Sequence, residues 1–256
     1  MIKTINIIGS GNVGTHLALY LKDKVNIKTI FSQSIVNAEK LADKINSKPI
    51  NHLADLHQNV DLNLICVKDD IIGDLAVQLP INIPVVHTSG SISINVLSRF
   101  TNYGILYPLQ TFSKTSRLDV GAIPFLIEAS SDYFYDELYQ FCINNLSSNI
   151  IKANSDLRQQ IHLSAVISNN FMTALLVESE KILKKNNLSL QLIKPLVQET
   201  INKSFNNSPL NAQTGPAKRK DLQIIKKQIN LIDNDKLKQI YQLISELIIE
   251  QQSTNF

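Results

Sequence analysis

Two cysteines are all that the chain contains, Cys66 in "LNLICV" and Cys142 in "DELYQFCINN". Neither has a second cysteine or a histidine at metal-ligand spacing, so both read as buried thiols of a reducing compartment and no metal site is expected. Charge is scarce as well. Asp, Glu, Lys and Arg make up 18% of the residues and the net charge is +3, too weak a field to imply nucleic acid as a partner. No apolar run reaches the length of a membrane span. A short apolar segment follows Met1, but it runs directly into a glycine motif that cleavage would destroy, so no signal peptide is expected. These absences point to a cytoplasmic protein without nucleic-acid or membrane partners.

What is present is an ordinary apolar content of 44% in 256 residues, enough for a substantial core and for two domains. Short β-rich runs alternate with helical patterns over the first 150 or so residues. Candidate strands are 3–8, 27–31, 62–67, 84–87, 103–106, 124–129 and 149–153, with helices at 13–21 and 35–45 between them. Several strands are continuously apolar, as strands covered on both faces should be. The pattern predicts an α/β fold, a Rossmann-type doubly wound and mainly parallel sheet over 1–154, followed by an all-α domain over 155–256. In the second part "DLRQQIHLSAVISNNFMTALLVESEKIL" reads as one long helix, apolar nearly all round in its middle, whose centre should be buried.

The stretch "KTINIIGSGNVGTHLALYL" carries Gly9-x-Gly11-x-x-Gly14 between a predicted strand and a predicted helix. In that context it is a dinucleotide-binding fingerprint. Gly9 permits the tight turn, Gly11 lets the backbone approach a pyrophosphate, and Gly14 lets helix and strand pack closely. The helix start presents free N–H groups to the phosphates, so Gly9, Ser10, Gly11, Asn12, Val13 and Gly14 are the candidate cradle. NAD-selective sites place an acidic residue after the second strand. Here Ser32, Gln33 and Ser34 stand there instead. Lacking a carboxylate, the loop favours NADP over NAD, although it has no arginine to grip a phosphate; the alternative is that these are ordinary loop polars. At the ends of later strands, Val67, Lys68 and Ser89 are expected beside the nicotinamide end, while His87 reads as a structural hydrogen-bonder.

No Ser/His/Asp constellation stands out, and no lysine occurs between Asp156 and Glu180. On a regular helix His162, Asn169 and Thr173 share one stripe, with Arg158 and Glu180 at its ends. One reading points this stripe into a cleft, with His162 as proton donor and Asn169 orienting a substrate. The other leaves these groups bonded to structural neighbours, and the sequence does not choose between them. In "TGPAKRKD" the run Lys218–Lys220 is either solvated surface or a positive field for an anionic substrate, with Lys218 the candidate and Asp221 a helix cap.

"GSGNVGTHLA", "VKDD", "VVHTSGS", "YPLQTF", "HLSAVISNNF" and "TGPAKRKD" together resemble an uncharacterised bacterial family. Its members pair a Rossmann-like NADP-binding domain with a helical C-terminal domain of unknown function. The architecture is more distantly similar to pyrroline-5-carboxylate reductase, the deazaflavin-dependent NADP reductases, and the 6-phosphogluconate and hydroxyisobutyrate dehydrogenases. The resemblance implies NADP binding and a homodimer formed through the helical domain, but no substrate. Two positions depart from the family's pattern: Gln33 stands where an arginine is usual, and Tyr107 where a histidine is often found. The hydroxyacid dehydrogenases place a catalytic lysine on the helix that here has none. The expected function is therefore an NADP-dependent oxidoreductase reducing a small imine or carbonyl, which needs positioning and one proton donor. The alternative is a dimeric protein that senses NADP(H) or a ligand without turnover.

Overall fold

The computed structural model describes residues 1–113 and 119–253. The chain divides into two compact units, Met1–Ser168 and Asn169–Phe256. The expected junction at 154/155 coincides instead with the start of a helix whose first turns are held by the sheet unit.

In the first unit, β-branched apolar runs form the strands. They are β1 (Thr4–Ile8), β2 (Asn26–Phe31), β3 (Lys48–Ile50), β4 (Leu62–Ile65), β5 (Val85–His87), β6 (Tyr103–Pro108), β7 (Phe125–Ala129) and β8 (Ile150–Lys152). They make one sheet in the order β3-β2-β1-β4-β5-β6-β7-β8. All pairs are parallel except β6 with β7, where Tyr107 faces Leu126. The order reverses beside β1, which creates the crevice where such sheets bind nucleotides. Helices α1 (Asn12–Leu21), α2 (Ile35–Ile45), α3 (Ile72–Ala76) and α4 (Asp132–Asn145) lie between strands.

Burial explains why the strand sequences do not alternate. Ile7 and Leu64 belong to one apolar cluster with Leu17, Leu21 and Phe134, while their chain neighbours Ile8 and Ile65 belong to a second with Leu75, Leu97 and Phe100. Successive strand residues point to opposite faces, so both faces are covered. Each such fully buried Ile or Leu contributes roughly 1.5–3 kcal/mol by leaving water. Strand β3, which the sequence reading omits, is three residues long, contains Pro49 and sits at the sheet edge. A proline is tolerated there because an edge strand has one side without ladder bonds.

Helix α5 (Ser155–Ala165) begins where Asn154 accepts a hydrogen bond from the Leu157 N–H at 2.9 Å. Its first turns are tied to the sheet unit by the buried Arg158, which pairs with Glu128 and donates to the Ile92 carbonyl. Ser155 Oγ also donates to Glu128 at 2.8 Å. A π-helical turn, Val166–Phe171, follows α5 and leads into α6 (Met172–Lys184). It interrupts the 3.6-residue repeat, so the stripe expected through His162, Asn169 and Thr173 is not that of a regular α-helix.

The second unit contains α6 and helices α7 (Lys194–Asn206), α8 (Pro209–Ala212), α9 (Leu222–Asn230) and α10 (Asp235–Ser253). Asp221 caps α9, accepting from the Ile224 N–H at 3.1 Å. One expectation is corrected here. The centre of the long helix is not buried within the chain: Leu163, Ile167 and Phe171 are more than half exposed. An all-round apolar pattern reports that a helix needs covering, not that the same chain supplies the cover.

Candidate functional site: a glycine loop and a tyrosine–histidine pair in one cavity

At the carboxyl end of β1 the chain turns through Gly9, whose φ of +120° suits glycine. A Cβ at Gly9 would stand 2.3 Å from the Cys66 carbonyl oxygen, and one at Gly14 would stand 2.1 Å from the Gly9 oxygen. Both glycines are therefore demanded by packing of the loop against β4 and α1. Gly11 differs, since the nearest atom to a Cβ there is 4.0 Å away. The fold leaves room at Gly11. Gly11 also caps α1 without a side-chain hydrogen bond, so the first N–H groups of the helix lack helical partners. Open space beside free N–H donors at a helix start fits a pyrophosphate.

A cavity of about 1080 Å³ opens over this loop. Of the residues expected to hold a cofactor, Gly9, Ser10, Gly11, Asn12, Val13, Ser32, Gln33, Val67, Lys68 and Ser89 line it. Gly14 and Ser34 do not: Gly14 is buried under the loop, and Ser34 is the N-cap residue of α2. Asn12 Nδ2 donates to the Phe112 carbonyl at 2.9 Å, so its side chain ties the segment after β6 to the head of α1. Ser89 Oγ accepts from the Ser91 and Ile92 N–H groups at 3.1 and 3.0 Å, shaping the loop after β5. A separate cavity of about 1110 Å³, among Lys3, Asn26, Lys44 and Gln140, lies at the amino ends of the strands. Ligands of open α/β sheets bind at the opposite end.

The cavity over the glycine loop also contains His162 from α5 and Tyr107 from β6. Tyr107 Oη lies 2.8 Å from His162 Nδ1, and the rings meet edge to face at 77°. Gly90 permits the arrangement, because a Cβ there would come within 2.6 Å of His162 Nδ1 and 2.8 Å of the Tyr107 ring. Burial, reinforced by the Asp69 carboxylate and opposed by Arg158, raises the Tyr107 pKa to about 12. The phenol therefore stays protonated at neutral pH. Sequence reasoning noted Tyr107 in "YPLQTF" only as a departure from the family's pattern and gave it no role in the site.

His87 is fully buried at the end of β5, where Nδ1 accepts from the Ser89 N–H at 3.2 Å. Burial and then the Arg158 charge pull its pKa down to about 4, so it is neutral and structural. Burial pushes the Cys66 thiol up to about 12 and raises that of Cys142 as well. Asn169 and Lys218, the other catalytic candidates, belong to the helical unit. There Asn169 Nδ2 donates to Asn170 Oδ1 at 3.1 Å, and Lys218 is half-buried in the loop before α9. Among the described residues no group of three or more His, Cys, Asp or Glu could hold a metal ion, and no helix is long and apolar enough to cross a membrane.

Sheet order, glycine loop and cavity together define a Rossmann-type α/β protein with a nicotinamide-dinucleotide kind of crevice. Residues 123–248 match the family model of a domain of unknown function, DUF2520. A Bacteroides fragilis protein named as an NADP oxidoreductase is 33% identical, over 97% of this chain and 98% of that one, with a TM-score of 0.89. The chain belongs to the same family as that protein and shares its Rossmann-type fold. A Thermotoga maritima protein shares the fold at 23% identity, 97% and 98% coverage and a TM-score of 0.73. So does a reductive aminase from Aspergillus terreus solved with NADPH and ethyl levulinate, at 12% identity, 98% and 95% coverage and a TM-score of 0.72. No curated protein matches the chain.

Proposed function

We propose that the protein is an NADP-dependent oxidoreductase that reduces a small polar imine or carbonyl compound. The observation that carries this reading is that the glycine loop and the Tyr107–His162 pair line one cavity. Gly9 to Val13 would hold the pyrophosphate, with Val67, Lys68 and Ser89 toward the nicotinamide. When bound, a reduced nicotinamide supplies a hydride, the difficult half of the chemistry.

The chain supplies the proton. In the protonated imidazole of His162, Nδ1–H donates to the Tyr107 oxygen, leaving the Nε2 proton to move onto the substrate nitrogen or oxygen. The ring is then neutral with its remaining proton on Nδ1, which goes on donating to the Tyr107 oxygen. The phenol accepts this hydrogen bond throughout, and at a pKa of about 12 it does not compete for the proton. Solvent restores the proton on the ring. An iminium carbon already attracts hydride, so this single acid is sufficient equipment.

The homodimer belongs to the same proposal. Among the described residues of the helical unit only Ala217, Ile225 and Ser245 are buried, while Phe205, Leu231 and Leu196 are 89%, 81% and 68% exposed. So little burial cannot offset the chain entropy of five helices, and a second copy is the cover that the proposal assigns.

The test is a fluorescence titration with NADPH and NADH, followed by a turnover screen of imines and 2-oxo acids. NADPH binding with turnover that His162→Ala lowers about a hundred-fold supports the reading. Binding without turnover of any compound would favour a sensor of the dinucleotide, and no binding would reduce the glycine loop to architecture.

A further inference from the structure

The loop after β2 has neither the acid that selects NAD nor an arginine for NADP, yet it does not stand alone. The Ser32 N–H donates to the Ile50 carbonyl at 3.1 Å, stapling the end of β2 to the end of the short edge strand β3. The residues that follow β3, Asn51 and His52, are thereby brought beside Ser32 and Gln33, and all four line the cavity over the glycine loop. Asn37 of α2 completes this end.

The charges along the cavity are unevenly placed. Lys68, Asp69 and Asp74 all follow β4, which lies across β1 from β2 and β3. With strands about 4.8 Å apart, that is two strand spacings from β2. On the β2–β3 side, His52 is the single ionisable residue among those lining the cavity. Its side chain is exposed and makes no hydrogen bond or ion pair among the described residues. It makes no side-chain cap bond to the short turn that it precedes, so the ring is free to meet a ligand in the cavity.

We infer that His52 binds the ribose 2′-phosphate of NADP and sets the protein's cofactor preference, an inference that rests on the dinucleotide reading above. A ring N–H of His52 donates to a phosphate oxygen, a hydrogen bond strengthened by the charge of the phosphate. Ser32, Gln33 and Asn37 add further donors. NADH, with a hydroxyl in place of the phosphate, forms no such bond. The partner usually sought after β2 comes instead from the neighbouring edge strand.

The test uses the full chain and measures dissociation constants for NADPH and NADH by nicotinamide fluorescence, for wild type, His52→Ala and His52→Arg. His52→Ala should weaken NADPH about ten-fold and leave NADH within two-fold, as expected for losing one hydrogen bond to a charged group. His52→Arg should restore NADPH binding. An exposed side chain is being changed, so unaltered thermal unfolding is the check on folding. If His52→Ala weakens both cofactors alike, or neither, the inference is overturned while the dinucleotide reading stands. If wild type binds neither cofactor, both fall together.

Discussion

Tyr107 Oη and His162 Nδ1 stand 2.8 Å apart although 55 residues separate them in the chain. The pair exists because β6 ends where α5 begins its third turn, and because Gly90 leaves the space between. If the hydroxyl serves the imidazole as proposed, Tyr107→Phe should lower turnover about ten-fold with NADPH affinity unchanged. His162→Ala should cost about a hundred-fold, the lower range for a general acid. The split between kcat and KM separates positioning from mere packing. Tyr107→Phe should lower kcat with KM and the unfolding temperature unchanged, whereas lost packing would lower the unfolding temperature as well. Gly90→Ala should resemble Tyr107→Phe, since its Cβ would displace the ring from the phenol.

The three loop glycines should fail in different ways. Gly14→Ala places a methyl 2.1 Å from a backbone oxygen, and backbone cannot yield as a side chain does. That variant should unfold at a markedly lower temperature. Gly11→Ala meets only the Cys66 carbonyl oxygen, at 4.0 Å, and should melt like wild type. It should nevertheless bind NADPH at least ten-fold more weakly, because its methyl occupies the approach of the pyrophosphate. Calorimetry beside a fluorescence titration reads both quantities. A Gly11→Ala variant with unchanged NADPH affinity would remove the main support for the cradle.

His87 predicts an acid sensitivity of the fold. Its pKa is lowered from 6.5 to about 4, so the unfolded chain binds the proton more readily than the folded one. The associated stability is fully present above pH 6.5, is lost as pH falls, and is gone below about 4. The loss is about 3 kcal/mol for a shift of this size. His87→Asn keeps an acceptor for the Ser89 N–H through its side-chain oxygen but does not titrate in this window. Urea unfolding at pH 7 and pH 4 should show the variant losing less stability than wild type. Equal losses would mean that His87 titrates normally in the fold.

The residues differ in how far they announce these roles. Gly9, Gly11 and Gly14 are legible because their spacing, with a strand before and a helix after, encodes a local conformation. Most strands are equally legible, since burial on both faces writes itself as a run of Ile, Leu and Val. Strand β3 escapes because "KPI" is short and its proline argues against a strand until the edge position is known. Tyr107 escapes for a different reason: its partner is chosen by the fold, and nothing local to "YPLQTF" says that α5 will pass beside it. His52 is invisible until β3 is found. The π-helical turn at Val166–Phe171 likewise has no residue pattern that separates it from the α-helix on either side.

The helical unit supplies the last prediction. Phe205, Leu231, Leu243 and Leu192 are each more than 60% exposed in a single chain, and among the described residues of the unit only Ala217, Ile225 and Ser245 are buried. Exposed apolar side chains in such number fit the proposed dimer. Folding of this unit should therefore be tied to association, and wild type should scatter light as a particle of twice the 28.7 kDa chain mass. Its midpoint of thermal unfolding should rise with protein concentration, because dissociation precedes or accompanies loss of structure. Leu243→Asp should lower the mass toward that of one chain and lower the melting temperature of the helical unit. The sheet unit, with its own two-sided core, should keep its strand signal and its NADPH affinity to a greater degree. A monomeric wild type whose melting temperature ignores concentration would refute the dimer, and the exposed leucines would then need a different partner.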